Sequence, residues 1–180
     1  MKIKDVKIGS KFKFGKIEFV KLDNTHSGCL CLATDILFKN RFDEDSGNNW
    51  EISTLRQELM KVIGDYIDTS ALVPFDRDLM TDDGMTDYGH CTDTVSLLTC
   101  DEYRKYRRLI PNFGEWHWTI TADSVTYSDN VRFVYSDGSL DNSNAYYGRN
   151  GVRPLCVLKP DTIVEVQNAE DKGQIVQADN

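Results

Sequence analysis

Two stretches of this sequence, Ser53 to Tyr66 and Thr99 to Ile110, space their apolar residues as a helix does. The other apolar runs are short and broken by Gly, Asn, Asp, Ser or Pro, as strands and their turns are. A chain patterned this way folds as an α+β domain with two helices. In the first stretch Leu55, Leu59, Val62, Ile63 and Tyr66 share one face, Ser53 supplies the N-cap and Gly64 lies near the end. In the second, Thr99-Cys100-Asp101-Glu102 has the form of a capping box. Tyr103, Tyr106 and Ile110 then hold one face until Pro111, while Arg104, Lys105, Arg107 and Arg108 make the other face basic.

Gly9 to Leu22 reads as a hairpin around Gly15-Lys16, and Cys29 to Leu32 and Ile36 to Phe38 continue as strands. Trp116 to Thr121, Val131 to Tyr135, Val152 to Leu158 and Thr162 to Val166 are further strand-like runs. Between Pro111 and Gly151 the composition predicts long ordered loops. At 180 residues, with 40% hydrophobic residues, one core is the economical reading. Residues 1–167 are expected to form a single domain and residues 168–180 a flexible tail.

Charge is unevenly placed. The net charge is −8 and the pI near 4.8, which disfavours nonspecific attraction to nucleic acid or anionic lipid and favours a basic partner. Residues 1–21 nevertheless carry seven lysines against Asp5 and Glu18. Between Asp76 and Glu102, seven aspartates and Glu102 face the lone Arg77. Such a run is either a solvated loop or an electrostatic contact surface. The first residues alternate charge with apolar side chains, so neither a signal peptide nor a membrane helix is read there. Five cysteines (29, 31, 91, 100 and 156) then read as reduced thiols in a cytoplasmic protein.

Sites of chemistry are sparse. His26-x-x-Cys29-x-Cys31 offers three soft metal ligands and His90-Cys91 could complete four, but the spacing matches no standard zinc knuckle. Asp76-x-Asp78 and Asp82-Asp83-Gly84 lack the ligand ladder of a calcium loop. His26, His90 and His117 are the imidazoles available to a nucleophile, and neither a nucleophile elbow nor a phosphate cradle is present. No cofactor, metal or enzymatic activity is expected. Trp116, Trp118, Tyr127, Tyr146, Tyr147 and Arg149 have the composition of a contact surface, and Tyr146, Tyr147 and Arg149 are read as its exposed members.

Five segments recur in a familiar order: Asn49-Trp50-Glu51-Ile52-Ser53-Thr54-Leu55-Arg56, Val95 to Tyr103, Trp116-His117-Trp118, Val134-Tyr135-Ser136-Asp137-Gly138 and Gly151-Val152-Arg153-Pro154-Leu155. Together they resemble a domain family of unknown function from Gram-positive bacteria and their phages, itself similar to the C-type-lectin-like and sulfatase-modifying-factor fold. The resemblance implies an α+β fold with both chain ends in one antiparallel sheet, two flanking helices and a long irregular loop region as the binding surface. It carries no reaction here, because copper-holding relatives use a cysteine pair near the C-terminal end, where only Cys156 lies. Sugar-reading Trp-Asn-Asp and Glu-Pro-Asn signatures are also missing.

Phage association and clustered acid together point to a protein that binds and inhibits a host nucleic-acid-handling protein, with Asp76, Asp78, Asp82, Asp83 and Asp87 facing a basic groove. Anti-CRISPR inhibition of a type II CRISPR nuclease is the specific form of that expectation. A lectin-like module for a small molecule or glycan is the alternative. Direct DNA binding through Lys2 to Lys21 and Arg104 to Arg108 is the third reading, and no membrane partner is expected.

Overall fold

The computed structural model describes residues 1–112 and 114–166, so the tail expected at 168–180 lies outside the described residues. After a 3-10 turn at Ile3–Asp5 come β1 (Lys11–Phe14), β2 (Ile17–Asn24), β3 (Cys29–Ala33) and β4 (Phe38–Asn40). A 3-10 turn at Trp50–Ile52 leads into α1 (Thr54–Val62), followed by β5 (Leu72–Val73), β6 (Phe75–Asp78), β7 (His90–Asp93) and β8 (Val95–Ser96). Helix α2 (Cys100–Tyr106) precedes β9 (His117–Ala122), β10 (Asn130–Val134), β11 (Leu140–Asn144), β12 (Asn150–Val152), β13 (Leu155–Leu158) and β14 (Glu165–Val166). The fold is mixed α+β, mostly sheet.

One sheet runs β14-β1-β2-β3-β13-β5, with β8 also pairing β13, and a second runs β11-β10-β9-β12-β4. Strands β6 and β7 form a separate hairpin. The chain ends do meet in the first sheet: the Met1 amino group donates to Val164 O at 3.0 Å, and β1 pairs antiparallel with β14. Gly15 turns the first hairpin at φ 60°, and a Cβ there would lie 2.3 Å from Tyr66 O, so both conformation and space require glycine.

Between Pro111 and Gly151 the strand-like runs at Trp116 to Thr121 and Val131 to Tyr135 form β9 and β10, and a strand the sequence did not announce, β11, joins them in the second sheet beside the connecting loops. The backbone groups of these strands find ladder partners that the polar composition hides. The strand expected at Ile36 to Phe38 lies slightly later, as β4 at Phe38–Asn40.

Both helices start where their caps predict. The Ser53 side chain accepts from Arg56 N–H, and Thr99 and Glu102 complete a capping box. The centre of the first sheet is buried on both faces, so β3 is apolar throughout. Cys29, Cys31 and Ala33 pack with Leu55, Leu59 and Ile63 on the α1 side, and Leu30 and Leu32 pack with Tyr103, Tyr106 and Ile110 on the α2 side. Each such leucine contributes about 1.5–3 kcal/mol by leaving water. All five cysteines are free and buried. Burial pushes the Cys156 thiol up to about 12 and the Cys91 thiol to about 11, with Asp93 adding to the latter, so neither is a ready nucleophile.

Two interior charges, Lys21 and Asp93, are held by several hydrogen bonds each. Lys21, counted in the sequence with a basic N-terminal face, is 1% exposed, and its Nζ donates to Ile3 O, Lys4 O and Val6 O. It satisfies the carbonyls of the first turn and is unavailable to a nucleic acid. Asp93 accepts from Trp50 Nε1 and Arg56 Nε, both at 2.7 Å, and thereby ties the 3-10 turn and α1 to β7. Removing one partner of a buried pair strands the other charge. Asp93→Ala is therefore expected to cost about 3–5 kcal/mol in urea unfolding. Asp161→Ala, which releases only the exposed Lys2 and Lys4, should leave the urea midpoint within error of the parent.

Candidate functional site

Strands β6 and β7 pair in register from Phe75↔Asp93 to Asp78↔His90. Alternation along β6 sends Arg77 inward and Asp76 and Asp78 outward. The Arg77 guanidinium makes two bonds to Glu102, at 2.6 and 2.7 Å, and also donates to Ser96 Oγ and Leu97 O. Glu102 in turn accepts from Thr99 N–H at the start of α2. The hairpin is thus fastened to the first turn of α2, and a cleft of about 240 Å³ opens between them. Asp76, Asp78, Asp82, Asp101 and Glu102 line it against Arg77 and Arg104.

The five aspartates expected to bind a partner divide on this framework. Asp76 and Asp78 line the cleft with side chains 68% and 56% exposed. Asp82 also lines it, but its carboxylate is engaged by Arg104 at 3.0 Å and Arg132 at 3.5 Å, joining the loop to α2 and β10. Asp83 accepts from the Thr81 hydroxyl, and that bond, with Ser124, holds its carboxyl below the usual range. Asp83 and Asp87 are exposed on the loop and do not line the cleft. Asp101, 71% exposed and paired with Arg104, is the carboxylate that the sequence reading counted but did not single out.

Tyr146, Tyr147 and Arg149 lie apart from this cleft. Arg41 covers the Tyr146 ring at 4.2 Å, and Tyr147, 80% exposed, meets Tyr146 edge to face. Arg149 borders a second cleft beside Trp116, just before β9, whereas the acidic cleft reaches Thr121 near the strand's far end. At about 3.3 Å per residue, roughly 15 Å of strand separates the two. The acidic cleft and Arg149 thus lie near opposite ends of β9.

His26 is exposed in its turn, while Cys29 Sγ donates to Asn24 Oδ1 and Cys31 Sγ to Cys29 O. Among the described residues, no group of three or more His, Cys, Asp and Glu is placed to hold a metal ion. His117 is 3% exposed, and burial, with Arg153 adding to it, pushes its pKa down to about 3, so it stays neutral near pH 7. Ser53 is a cap. Several basic groups proposed for DNA are engaged by acid: Lys2 and Lys4 by Asp161, Lys11 by Glu18, Arg104 by Asp82 and Asp101, and Lys105 by Asp23.

His90 stands beside the cleft's carboxylates, with Nδ1 2.8 Å from Asp76 Oδ2 and Nε2 3.9 Å from Asp78 Oδ1. Its pKa is raised from 6.5, first by the hydrogen bond to Asp76, then by that carboxylate's charge, with Asp78 adding to it. A raised histidine pKa means the cation persists to higher pH and is lost as pH rises through that value. An NMR titration should place the His90 midpoint above 6.5, and Asp76→Asn with Asp78→Asn should bring it down towards the unperturbed value.

Residues 79–160, just under half of the chain, match the model of a family described as Domain of unknown function (DUF6273). No curated protein and no solved structure matches the chain. The matched span begins beside the acidic hairpin and ends after β13, and four of the five segments that carry the resemblance fall inside it, leaving Asn49 to Arg56 outside.

Proposed function

We propose that this chain is a non-catalytic binding domain whose acidic cleft receives lysine or arginine side chains of a protein partner. The observation that carries this reading is the outward pair Asp76 and Asp78 facing one cleft with Asp101, on a framework fixed by the Arg77–Glu102 bond. Five carboxylates against two guanidinium groups, one of them consumed by Glu102, leave a net negative lining that attracts cations. Buried thiols and a buried neutral His117 support binding over bond-making.

Proteins that handle nucleic acid carry basic grooves of complementary charge, and occupying such a groove would inhibit them. A type II CRISPR nuclease of the bacterial host is the specific partner this reading names. The cytoplasm of that host is the compartment it requires.

Fluorescence anisotropy with a labelled oligolysine peptide, and with a purified type II CRISPR nuclease, tests the two levels separately. The parent should bind oligolysine with an affinity that falls as salt rises. The triple change Asp76→Asn, Asp78→Asn and Asp101→Asn should weaken binding about tenfold or more, and Asp83→Asn with Asp87→Asn far less. Binding should also tighten as pH rises through the raised His90 pKa, because the imidazolium that offsets Asp76 and Asp78 is then discharged. Oligolysine affinity unchanged in the triple variant would refute the cleft, and nuclease left unbound would refute the named partner.

A further inference from the structure

Three consecutive residues of β6, Asp76, Arg77 and Asp78, line the acidic cleft. Successive side chains of a strand point to opposite faces, so a cleft that touches three in a row runs along the strand's edge and not over one face. The backbone at that edge is open. Leu79 N–H donates to Gly89 O, one step beyond the Asp78↔His90 pair, which makes Leu79 and Gly89 a hydrogen-bonded pair of the antiparallel ladder. Bonded and non-bonded pairs alternate, so Arg77↔Cys91 is bonded, whereas Asp76↔Thr92 and Asp78↔His90 are not. The N–H and C=O groups of Asp76 and Asp78 therefore point away from β7, and they have no hydrogen-bond partner among the described residues.

The opposite edge of the hairpin is covered. Thr92 C=O, turned outward from β7 by the same alternation, accepts from Arg56 Nη2 of α1 at 3.2 Å. On the β6 side the cleft intervenes, with Thr99, Cys100, Asp101 and Glu102 at the start of α2 across it. Asp76 and Asp78 are exposed residues, so their edge is within reach of another chain. An unpaired row of N–H and C=O groups is the template on which an extended segment adds as a further strand.

We propose that the protein partner enters the acidic cleft as an extended segment, which pairs with β6 through the backbone of Asp76 and Asp78 and carries lysine or arginine at alternate positions. This pairing rests on the reading of the cleft as a site for basic partners, and it specifies the partner's conformation and the spacing of its charges. The carboxylates of Asp76 and Asp78 share the outer face of β6, and opposite charges facing one another across a strand pair stabilise it. Basic residues two apart on an incoming strand meet both carboxylates. A helix spends its backbone groups internally and repeats its side chains every three or four residues, so it matches neither the edge nor the spacing.

A labelled heptapeptide of alternating lysine and threonine is the probe, with one form N-methylated at its lysines and another at its threonines. N-methylation removes a backbone donor and leaves the side-chain charge. A strand turns its N–H groups alternately to one edge and the other, so one of the two sets faces β6. The unmethylated peptide should bind the parent, one methylated form should bind about tenfold more weakly, and the other should bind nearly as well as the unmethylated peptide. Loss in the lysine set means an antiparallel partner, and loss in the threonine set a parallel one. On saturation with the unmethylated peptide, the Asp76 and Asp78 amides should exchange hydrogen about tenfold more slowly, while that of Arg77, already bonded to β7, is unchanged. Both methylated forms binding as tightly as the unmethylated peptide, or both weakened alike, overturns the pairing and leaves the cleft as a site for basic side chains. Unchanged exchange at Asp76 and Asp78 with the peptide bound does the same. Failure of the unmethylated peptide to bind overturns the cleft itself and the pairing with it.

Discussion

The bidentate bond between Arg77 and Glu102 is the constraint on which the arrangement around the acidic cleft depends. Arg77 is 2% exposed, and a guanidinium taken that far from water is tolerated only when paired and hydrogen-bonded. Glu102 supplies the pair, Ser96 and Leu97 the remaining acceptors, and the same Glu102 closes the capping box of α2. Because successive side chains on a strand point to opposite faces, burying Arg77 obliges Asp76 and Asp78 to face solvent. The acidity of the cleft is thus a geometric consequence of the cation beneath it.

The same device recurs where the chain leaves regular structure. Lys21 collects three carbonyls of the first 3-10 turn, and Arg56 reaches across to Asp93 and to Thr92 O. Arg153 lies where the chain passes from β12 in the second sheet to β13 in the first, and donates to Ala33 O and Thr34 O at the end of β3. Burial lowers its pKa to about 10, which still leaves it charged at neutral pH. These interior cations bond backbone that no ladder reaches, and they remove basic residues from the surface. The seven lysines of the N-terminal segment accordingly make a weaker basic face than their number implies.

What was readable in the sequence was local. Ser53 and Thr99 announce the helices because a cap and a 3.6-residue repeat both act within a few residues. Gly15 announces the first hairpin for the same reason. Strand β6 was hidden because its inward residue is Arg77, so its alternation shows no apolar period, and β11 was hidden because Leu140 is its one apolar member. The acidic site was half readable. Composition locates carboxylates but not their partners, and Asp82 is claimed by Arg104 and Arg132, distant in sequence. The open edge of β6 carried no signal at all, since which backbone groups a strand leaves unpaired is settled only once its neighbours are placed.

The two clefts lie near opposite ends of β9 and are mechanically insulated from one another. All six residues of that strand are buried, and it is paired with β10 on one side and β12 on the other. A ligand at one end cannot slide the strand without breaking both ladders and exposing alternate side chains, which is the cost that fixes strand register. Electrostatic coupling is weak as well, because roughly 15 Å of strand exceeds the Debye length of about 10 Å at 0.1 M salt. A negative cleft and a cationic one can therefore coexist on a domain of net charge −8, each answering to the groups that line it.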